Sequence, residues 1–288
     1  MSITALLLIL TSAFLHAIWN LLAKRAGVGG AVFVWMFTAC SSTLLWPVAL
    51  GVYIVQQPEI GWFGFGGMCG TAILHLLYFI VLQRGYRVGD LSLVYPLARG
   101  TGLTLCTIMA VVILGERPSA ATLLGLVLVV LGVVLLTWQG KSSKPEEKTR
   151  AAIKWGILCG ISISIYSVWD KYIVSDVQIP PVLLELFTGF ALCVMLTPHA
   201  MANRDKVRSL WSSHRWEIFG VAILAPASYI LALTAMSFTP LSSVAPAREI
   251  SILIGAVLGT RLLGEQHTMR RLVAAGSMVC GVISIALG

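Results

Sequence analysis

The chain has 288 residues, of which 58% are hydrophobic and only 11% are charged. Soluble domains carry roughly one-quarter charged residues, and a soluble fold this apolar would leave large sticky patches on its surface. The formal net charge of +8 comes from 20 Lys and Arg against 12 Asp and Glu. These numbers predict an all-α integral membrane protein, and the basic balance is explained below by loop charges rather than by a nucleic-acid partner.

Ten apolar runs follow one another along the chain, each long enough to cross a hydrocarbon layer of about 30 Å. They lie near 3–22, 31–55, 61–83, 91–114, 119–138, 153–174, 181–198, 216–236, 242–260 and 267–287. The first run lacks a basic leading segment and an A-x-A-like cleavage site, so we expect a retained helix. Pro47 in the second run and Pro246 in the ninth are expected to kink their helices near a cavity.

Loop charges predict the orientation in the membrane. Sixteen of the 20 Lys and Arg lie in the connections after spans one, three, five, seven and nine, whereas the opposite set of loops carries only Arg117. By the positive-inside rule, the first set is cytoplasmic. We therefore expect both termini to lie outside, in a bacterial-type inner membrane.

The two halves of the sequence are related by a shift of about 150 positions. Matched residues occur in the same order in both halves: Trp19 with Trp169, Phe37-Thr38 with Phe187-Thr188, Leu91-Ser92 with Leu241-Ser242, and Pro96 with Pro246. One residue is then lost, and Gly115-Glu116 aligns with Gly264-Glu265. Because each half holds five spans, an odd number, the second half must enter the membrane in the opposite sense. This predicts two inverted five-helix repeats at 1–138 and 153–288, joined by a flexible cytoplasmic linker at 139–152, with a substrate site near the midplane between them.

The end of each half resembles the helix-four-to-five signature of EamA domains in the drug/metabolite transporter superfamily. The two segments read LGERPSAATLLGLVLVVLGVVLL and LGEQHTMRRLVAAGSMVCGVISIAL. The resemblance covers nearly the whole chain and implies a basket-like fold. It also implies a central cavity lined mainly by helices one, three, four, six, eight and nine, with helices five and ten in support. The opening SAFLHAIWNLLAKR resembles a subgroup of bacterial EamA proteins, some of which are associated with phosphonate utilisation.

Few ionisable residues fall inside the predicted spans, where each charge costs about 2.5–3.5 kcal/mol on insertion scales. Arg99 lies in span four, Asp170 in span six, and Arg248 and Glu249 in span nine. One hypothesis is that the two guanidinium groups bind a carboxylate, phosphate or phosphonate of the substrate, two oxygens at a time. The alternative is that they neutralise the buried acids Asp170, Glu185 or Glu249 and hold helices together.

The register around these charges is ambiguous. Spacing to the Gly-Glu pairs aligns Arg99 with Arg248, whereas the prolines align Arg99 with Glu249. Burial favours the neutral form of a carboxyl group. Glu249 and Asp170 are therefore candidates for coupling transport to protons.

A polar and aromatic face recurs in spans one and six. Residues at i, i+3 and i+4 share one helical face, and they are His16, Trp19 and Asn20 in span one and Tyr166, Trp169 and Asp170 in span six. We expect both faces to point to the interior, where they bind substrate or tie helices together. Tyr78 in span three and Tyr229 in span eight are further substrate-binding candidates, and His75 is a weaker one.

Other features are interpreted as structural. Glu116 and Glu265 stand just before a predicted helix and are expected to satisfy its free backbone N–H groups. Glycines of spans three and five are expected to allow close helix contact: Gly61, Gly64, Gly67, Gly70, Gly125 and Gly132. The six cysteines and five histidines show no metal-ligand spacing, so we expect no metal or other cofactor.

These features favour a secondary transporter for a small polar organic metabolite, with an anionic compound as one option. A membrane enzyme is the first rival, but the sequence contains no H-E-x-x-H, G-x-S-x-G or nucleotide-binding loop. A channel or structural subunit is the second rival. The expected partners are the substrate, the lipid bilayer and, if transport is coupled, protons. The sequence leaves the oligomeric state open.

Overall fold

The protein folds as a bundle of apolar helices, seen here in a computed structural model. The structure describes residues 1–26, 30–88, 91–137, 146–254 and 269–288. The helices are α1 (Ile3–Arg25), α2 (Gly30–Gln56), α3 (Trp62–Val88), α4 (Leu91–Ile113), α5 (Ala120–Thr137), α6 (Glu146–Ser175), α7 (Pro181–Ala202), α8 (Arg204–Phe238), α9 (Leu241–Arg248) and α10 (Met269–Leu287).

Length and apolar composition identify the membrane-crossing helices. Six are long and apolar enough to span a membrane, namely α1, α2, α3, α6, α7 and α8, and three shorter apolar stretches lie at Leu97–Ile113, Ala120–Leu135 and Val273–Leu287. Large apolar side chains such as Val55 and Trp62 are 84% and 91% exposed, which suits contact with lipid and not with water. The chain is a multi-pass, all-α membrane protein, as the composition predicted.

Two helices begin earlier than the sequence analysis expected. The eighth span was predicted to start at 216, but α8 starts at Arg204 and has a non-helical residue, His214, at φ −134° and ψ 27°. Helix α6 starts at Glu146, inside the segment 139–152 expected to be a flexible linker. Its opening letters, EEKTRAA, are mostly strong helix formers, which explains why the helix extends past the apolar run. The predicted boundary at 138–139 lies outside the described residues, and the one at 152–153 falls inside α6.

The ninth predicted span is interrupted in its middle. Helix α9 ends at Arg248, and the N–H of Glu249 donates to Pro246 O at 3.1 Å. Residues 250–254 are helical again, and 255–268 lie outside the described residues. Glu249 keeps right-handed helical torsion angles, φ −68° and ψ −9°, so it lies in a 3₁₀-type turn between the two helical segments.

Helices that the predicted repeat aligns pack against each other in antiparallel pairs. Between α5 and α10, Ser277 Oγ donates to Leu128 O at 2.6 Å and Ser284 Oγ to Ala121 O at 2.7 Å. Numbering rises along one helix as it falls along the other, so the two helices run in opposite directions. The same order holds for α2 and α7, where Trp35 Nε1 donates to Thr197 Oγ1 at 3.0 Å and Ser42 lies beside Gly189.

The first helix of each half also packs against the third helix of the other half. Helix α1 packs along α8, and α6 packs along α3. In the predicted repeat, α1 aligns with α6 and α3 aligns with α8. Under the shift that aligns the two halves, the pair α1–α8 therefore corresponds to the pair α6–α3.

Close helix contacts depend on glycine at several of the predicted positions. A Cβ on Gly125 would lie 2.5 Å from Gly281 O, and a Cβ on Gly70 would lie 2.9 Å from the Trp169 ring. Gly64, Gly67 and Gly132 are similarly crowded. Gly61 differs, because nothing lies within 4 Å of the place where its Cβ would stand.

Candidate functional site

Asp170 of α6 anchors a hydrogen-bond network among three helices. Its side chain is fully buried, Thr71 Oγ1 of α3 donates to its Oδ1 at 2.8 Å, and Tyr229 OH of α8 donates to its Oδ2 at 2.5 Å. His75 Nε2 of α3 lies 2.9 Å from the same Oδ2. A carboxylate can only accept, so His75 Nε2 carries the hydrogen of this contact. The network stabilises a buried carboxylate that would otherwise be costly.

Aromatic rings surround His75. Its ring centroid lies 4.6 Å from that of Tyr166 and 5.4 Å from that of Tyr229. Tyr166 in turn contacts Tyr78, with 5.3 Å between their ring centroids. The sequence analysis ranked His75 as a weak candidate and missed Thr71. The signal that could have found them is their i, i+4 spacing, which puts two polar residues on one face of span three.

Trp169 holds the same face of α6 against α3. Its indole Nε1 donates to Gly67 O at 3.1 Å, and its ring lies where a Cβ on Gly70 would be. A larger residue at Gly70 would push this ring away, whereas a Cβ on Gly67 would meet the Ile173 side chain. Trp169 is thus engaged in joining helices, which was the alternative to substrate contact in the sequence analysis.

Arg99 of α4 and Glu249 after α9 form an ion pair at the meeting point of the two halves. Arg99 Nη1 donates to Glu249 Oε1 at 2.9 Å, and the Glu249 side chain is 7% exposed. Glu249 Oε2 is buried and has no hydrogen-bond partner among the described residues. In this state Arg99 is neutralised by a buried acid, as the alternative in the sequence analysis had it.

Arg248 has a different environment from Arg99. Its guanidinium carbon lies 5.5 Å from the ring centroid of Tyr229, a cation–π contact. No carboxylate lies within ion-pair distance of Arg248 in the described parts of the chain. The two arginines therefore do not form a matched pair here, since Arg99 contacts an acid and Arg248 contacts an aromatic ring.

His16 joins this cluster from α1. It lies close enough to Arg99 and Arg248 for a Coulombic interaction with both. Its ring packs edge-on against Trp19, with 4.9 Å between ring centroids. Asn20 differs from its aligned counterpart Asp170, because Asn20 is exposed and its amide donates to His16 O at 2.7 Å.

Glu185 of α7 is a further acid near the cluster. It lies within Coulombic range of Asp170. Its carboxylate has no ion pair within the described ranges. Glu185 was considered as a partner for an arginine, but neither Arg99 nor Arg248 pairs with it.

Glu116 caps a helix of the opposite half. Its two carboxylate oxygens accept from Leu241 N at 2.6 Å and from Ser242 N at 2.9 Å, at the start of α9. The sequence analysis placed this capping on the helix that directly follows, α5, and that assignment is wrong. Ser119 caps the start of α5 instead, since its Oγ accepts from Thr122 N at 3.1 Å. Glu265 lies outside the described residues.

Lys171 sits beside the same junction. Its Nζ donates to Met236 O at 2.6 Å and to Thr239 O at 3.3 Å, at the end of α8. A cation at a helix C-terminus and an anion at a helix N-terminus both interact favourably with the helix dipole. Lys171 and Glu116 therefore hold the α8–α9 connection from its two sides.

The interior residues form a polar cluster contributed by α1, α3, α4, α6, α7, α8 and the end of α9. It contains two guanidinium groups, three carboxyl groups, two histidines and three tyrosines within otherwise apolar helices. Ionisable groups at such positions mark sites of substrate or ion passage in membrane proteins. Within the described ranges, no three His, Cys, Asp or Glu side chains come together as a metal site would require.

A multi-pass helical bundle with buried charges defines the class, an integral membrane protein. Residues 150–287, which cover nearly all of the predicted second repeat, match the EamA-like transporter family. The match does not support the finer resemblance to a subgroup associated with phosphonate utilisation.

Solved structures support the fold over the whole chain. A crystal structure described only as that of a protein is similar with a TM-score of 0.77 at 16% sequence identity, covering 100% of this chain and 98% of the other. At this identity the likeness concerns the fold alone. No curated protein matches the sequence significantly.

Proposed function

We propose that the protein is a secondary transporter that moves a small polar organic metabolite across a bacterial-type inner membrane by alternating access. The observation that carries the proposal is the buried cluster between the halves, in which Arg248 has no acidic partner among the described residues. An uncompensated cation is costly in a membrane interior. An anionic group on the substrate would offset that cost, which favours an anionic metabolite.

Arg248 and Asp170 are linked through one side chain. The Tyr229 ring contacts the Arg248 guanidinium, and its hydroxyl donates to Asp170 Oδ2. A ligand that moves Arg248 from this ring therefore acts on the Asp170 network too. This linkage supports coupling between substrate binding and protonation of Asp170 or Glu249, the two acids that the proposal assigns to proton exchange.

The backbone around the cluster favours movement. Glu249 lies in the 3₁₀-type turn after α9, so its ion pair with Arg99 joins this turn to helix α4. Inverted repeats exchange access by rocking around a site of this kind. The proposal keeps both termini outside and the loops rich in Lys and Arg in the cytoplasm.

Uptake and efflux in proteoliposomes, measured against a panel of anionic, neutral and cationic metabolites, test the proposal. We expect concentration-dependent flux of at least one anionic compound. Arg248→Lys should lower that flux at least tenfold, because an ammonium group cannot reproduce a planar two-pronged contact. Arg215→Lys is the matched control, since Arg215 contacts the Trp216 ring at 5.5 Å but lies exposed. Equal flux in wild type and a well-folded Arg248→Lys variant would remove Arg248 from the site.

A further inference from the structure

A groove lies away from the buried cluster, where the start of α8 packs across α2. Its volume is about 390 Å³, and it is lined by Trp35, Met36, Ala39 and Cys40 of α2 and by Val207, Arg208 and Trp211 of α8. This size falls within the range of about 300–1,000 Å³ that is typical of ligand pockets. Arg208 is the one charged residue among those seven, so the groove suits a hydrocarbon chain with a charged group at one end.

The start of α8 has the character of a helix lying at a membrane surface. The non-helical residue His214 separates residues 204–213 from the rest of α8. Leu210 is 9% exposed and belongs to the same apolar cluster as Met36, whereas Arg204 and Arg208 are exposed. An apolar face turned inward and a basic face turned outward is the arrangement of interfacial helices.

Two exposed tryptophans lie near the groove, at the start of α8. Trp211 and Trp216 are 42% and 74% exposed, on either side of His214. Tryptophan is enriched at the boundary between hydrocarbon and headgroups. The groove therefore opens close to the depth at which lipid phosphates lie.

Basic residues outnumber acidic ones around the groove. The exposed cations are Arg25 at the end of α1 and Arg204, Lys206, Arg208 and Arg215 of α8. The acids on this stretch of α8 are Asp205 and Glu217. Groups of four to eight Lys and Arg next to a membrane helix are typical of binding to anionic lipids.

The geometry points to a binding site for an anionic phospholipid. One acyl chain lies in the groove between α2 and the start of α8, and Arg208 holds the headgroup phosphate at its edge. Charge complementarity selects this occupant, because a zwitterionic lipid would offer the basic residues no net negative charge. The site shares no residue with the buried cluster, so its failure would leave the proposed transport function standing.

Binding of phosphatidylglycerol to the purified full-length chain, with phosphatidylcholine of the same acyl chains as the reference, tests the site. Native mass spectrometry gives the number of bound lipids and their apparent affinity. A thermal melt in detergent gives the change in melting temperature on lipid binding. We expect at least one phosphatidylglycerol molecule to remain bound and to raise the melting temperature, with much weaker retention of phosphatidylcholine. Arg208→Gln should lower phosphatidylglycerol affinity about fivefold, which is about 1 kcal/mol at 1.4 kcal/mol per tenfold.

Two further variants separate the headgroup from the groove. Ala39→Phe fills the groove without changing charge and should also displace the lipid. Arg117→Gln removes the same charge from an exposed loop in the set predicted to lie outside, and it should leave binding unchanged. Equal retention of both lipids would overturn the site, as would an equal loss of affinity in Arg117→Gln and Arg208→Gln. Normal phosphatidylglycerol binding by folded Ala39→Phe would overturn the place of the acyl chain.

Discussion

Arg99 and Glu249 stand 150 positions apart, the shift that relates the two halves, and their side chains meet at 2.9 Å. The pair joins α4 of the predicted first half to the residue that follows α9 of the second. It also favours the alignment anchored on the prolines over the one that matched Arg99 with Arg248.

This pair should behave as one unit in stability measurements. Arg99→Gln and Glu249→Gln should each destabilise the protein by several kcal/mol, because each leaves an unpaired charge in a buried site. The double variant should lose less stability than the sum of the losses in the two single variants. Thermal melts in detergent of the four proteins give the coupling energy directly, and strictly additive losses would show that the pair contributes nothing.

Neutralising the buried acids should uncouple transport from protons. In proteoliposomes with an imposed proton gradient, Asp170→Asn combined with Glu249→Gln should abolish concentrative flux, because neither site can then exchange a proton. Asp176→Asn, an exposed acid at the end of α6, is the control and should keep it. Proton-driven accumulation by the folded double variant would remove both acids from that role.

Glu116 should stabilise α9 from across the two halves. Glu116→Gln keeps one acceptor oxygen for two backbone donors, so one N–H at the start of α9 loses its partner. We expect a loss of about 1–3 kcal/mol, read as a lower melting temperature. Glu59→Gln removes an exposed carboxylate from the α2–α3 loop and should change little. Identical melts for both variants would contradict the cap.

The α5–α10 contact should be intolerant of a single added methyl group. Gly125→Ala places a Cβ 2.5 Å from Gly281 O, a backbone atom that cannot turn aside. Overpacking of this kind costs about 1–3 kcal/mol. Gly276→Ala, on α10 itself, meets nothing within 4 Å and should be neutral in the same melting experiment. A Gly125→Ala variant as stable as Gly276→Ala would show that the helices can separate at no cost.

The orientation can be tested by cysteine labelling in intact cells, on a background lacking the six native cysteines. Glu59→Cys, in a loop predicted to lie outside, should react with a membrane-impermeant reagent. Ser143→Cys, in the predicted cytoplasmic linker, should react only after the membrane is opened. The reverse pattern would invert the topology.

Much of the architecture could be predicted from the sequence because it depends on local properties. Runs of about 20 apolar residues specify membrane helices whatever their partners are. The shift that aligns Trp19 with Trp169 also aligns the helices of the pairs α2–α7 and α5–α10, which pack together in the structure. The close helix contacts at Gly70 and Gly125 were predicted from the occurrence of glycines within apolar spans. The start of α8 was missed because residues 204–213 are amphipathic and too polar to register as a span.

The site needed the tertiary structure, because its chemistry depends on which charges meet across helices. From the sequence, Arg99 and Arg248 were equivalent candidates. Only packing decided that Glu249 neutralises Arg99 while Arg248 lies on the Tyr229 ring. Glu116 has the same local signature as an ordinary helix cap, yet its partners are 125 and 126 positions away. The sequence by itself determined the helices, through hydrophobic length and periodicity, whereas only distances across the bundle decided which polar groups are paired.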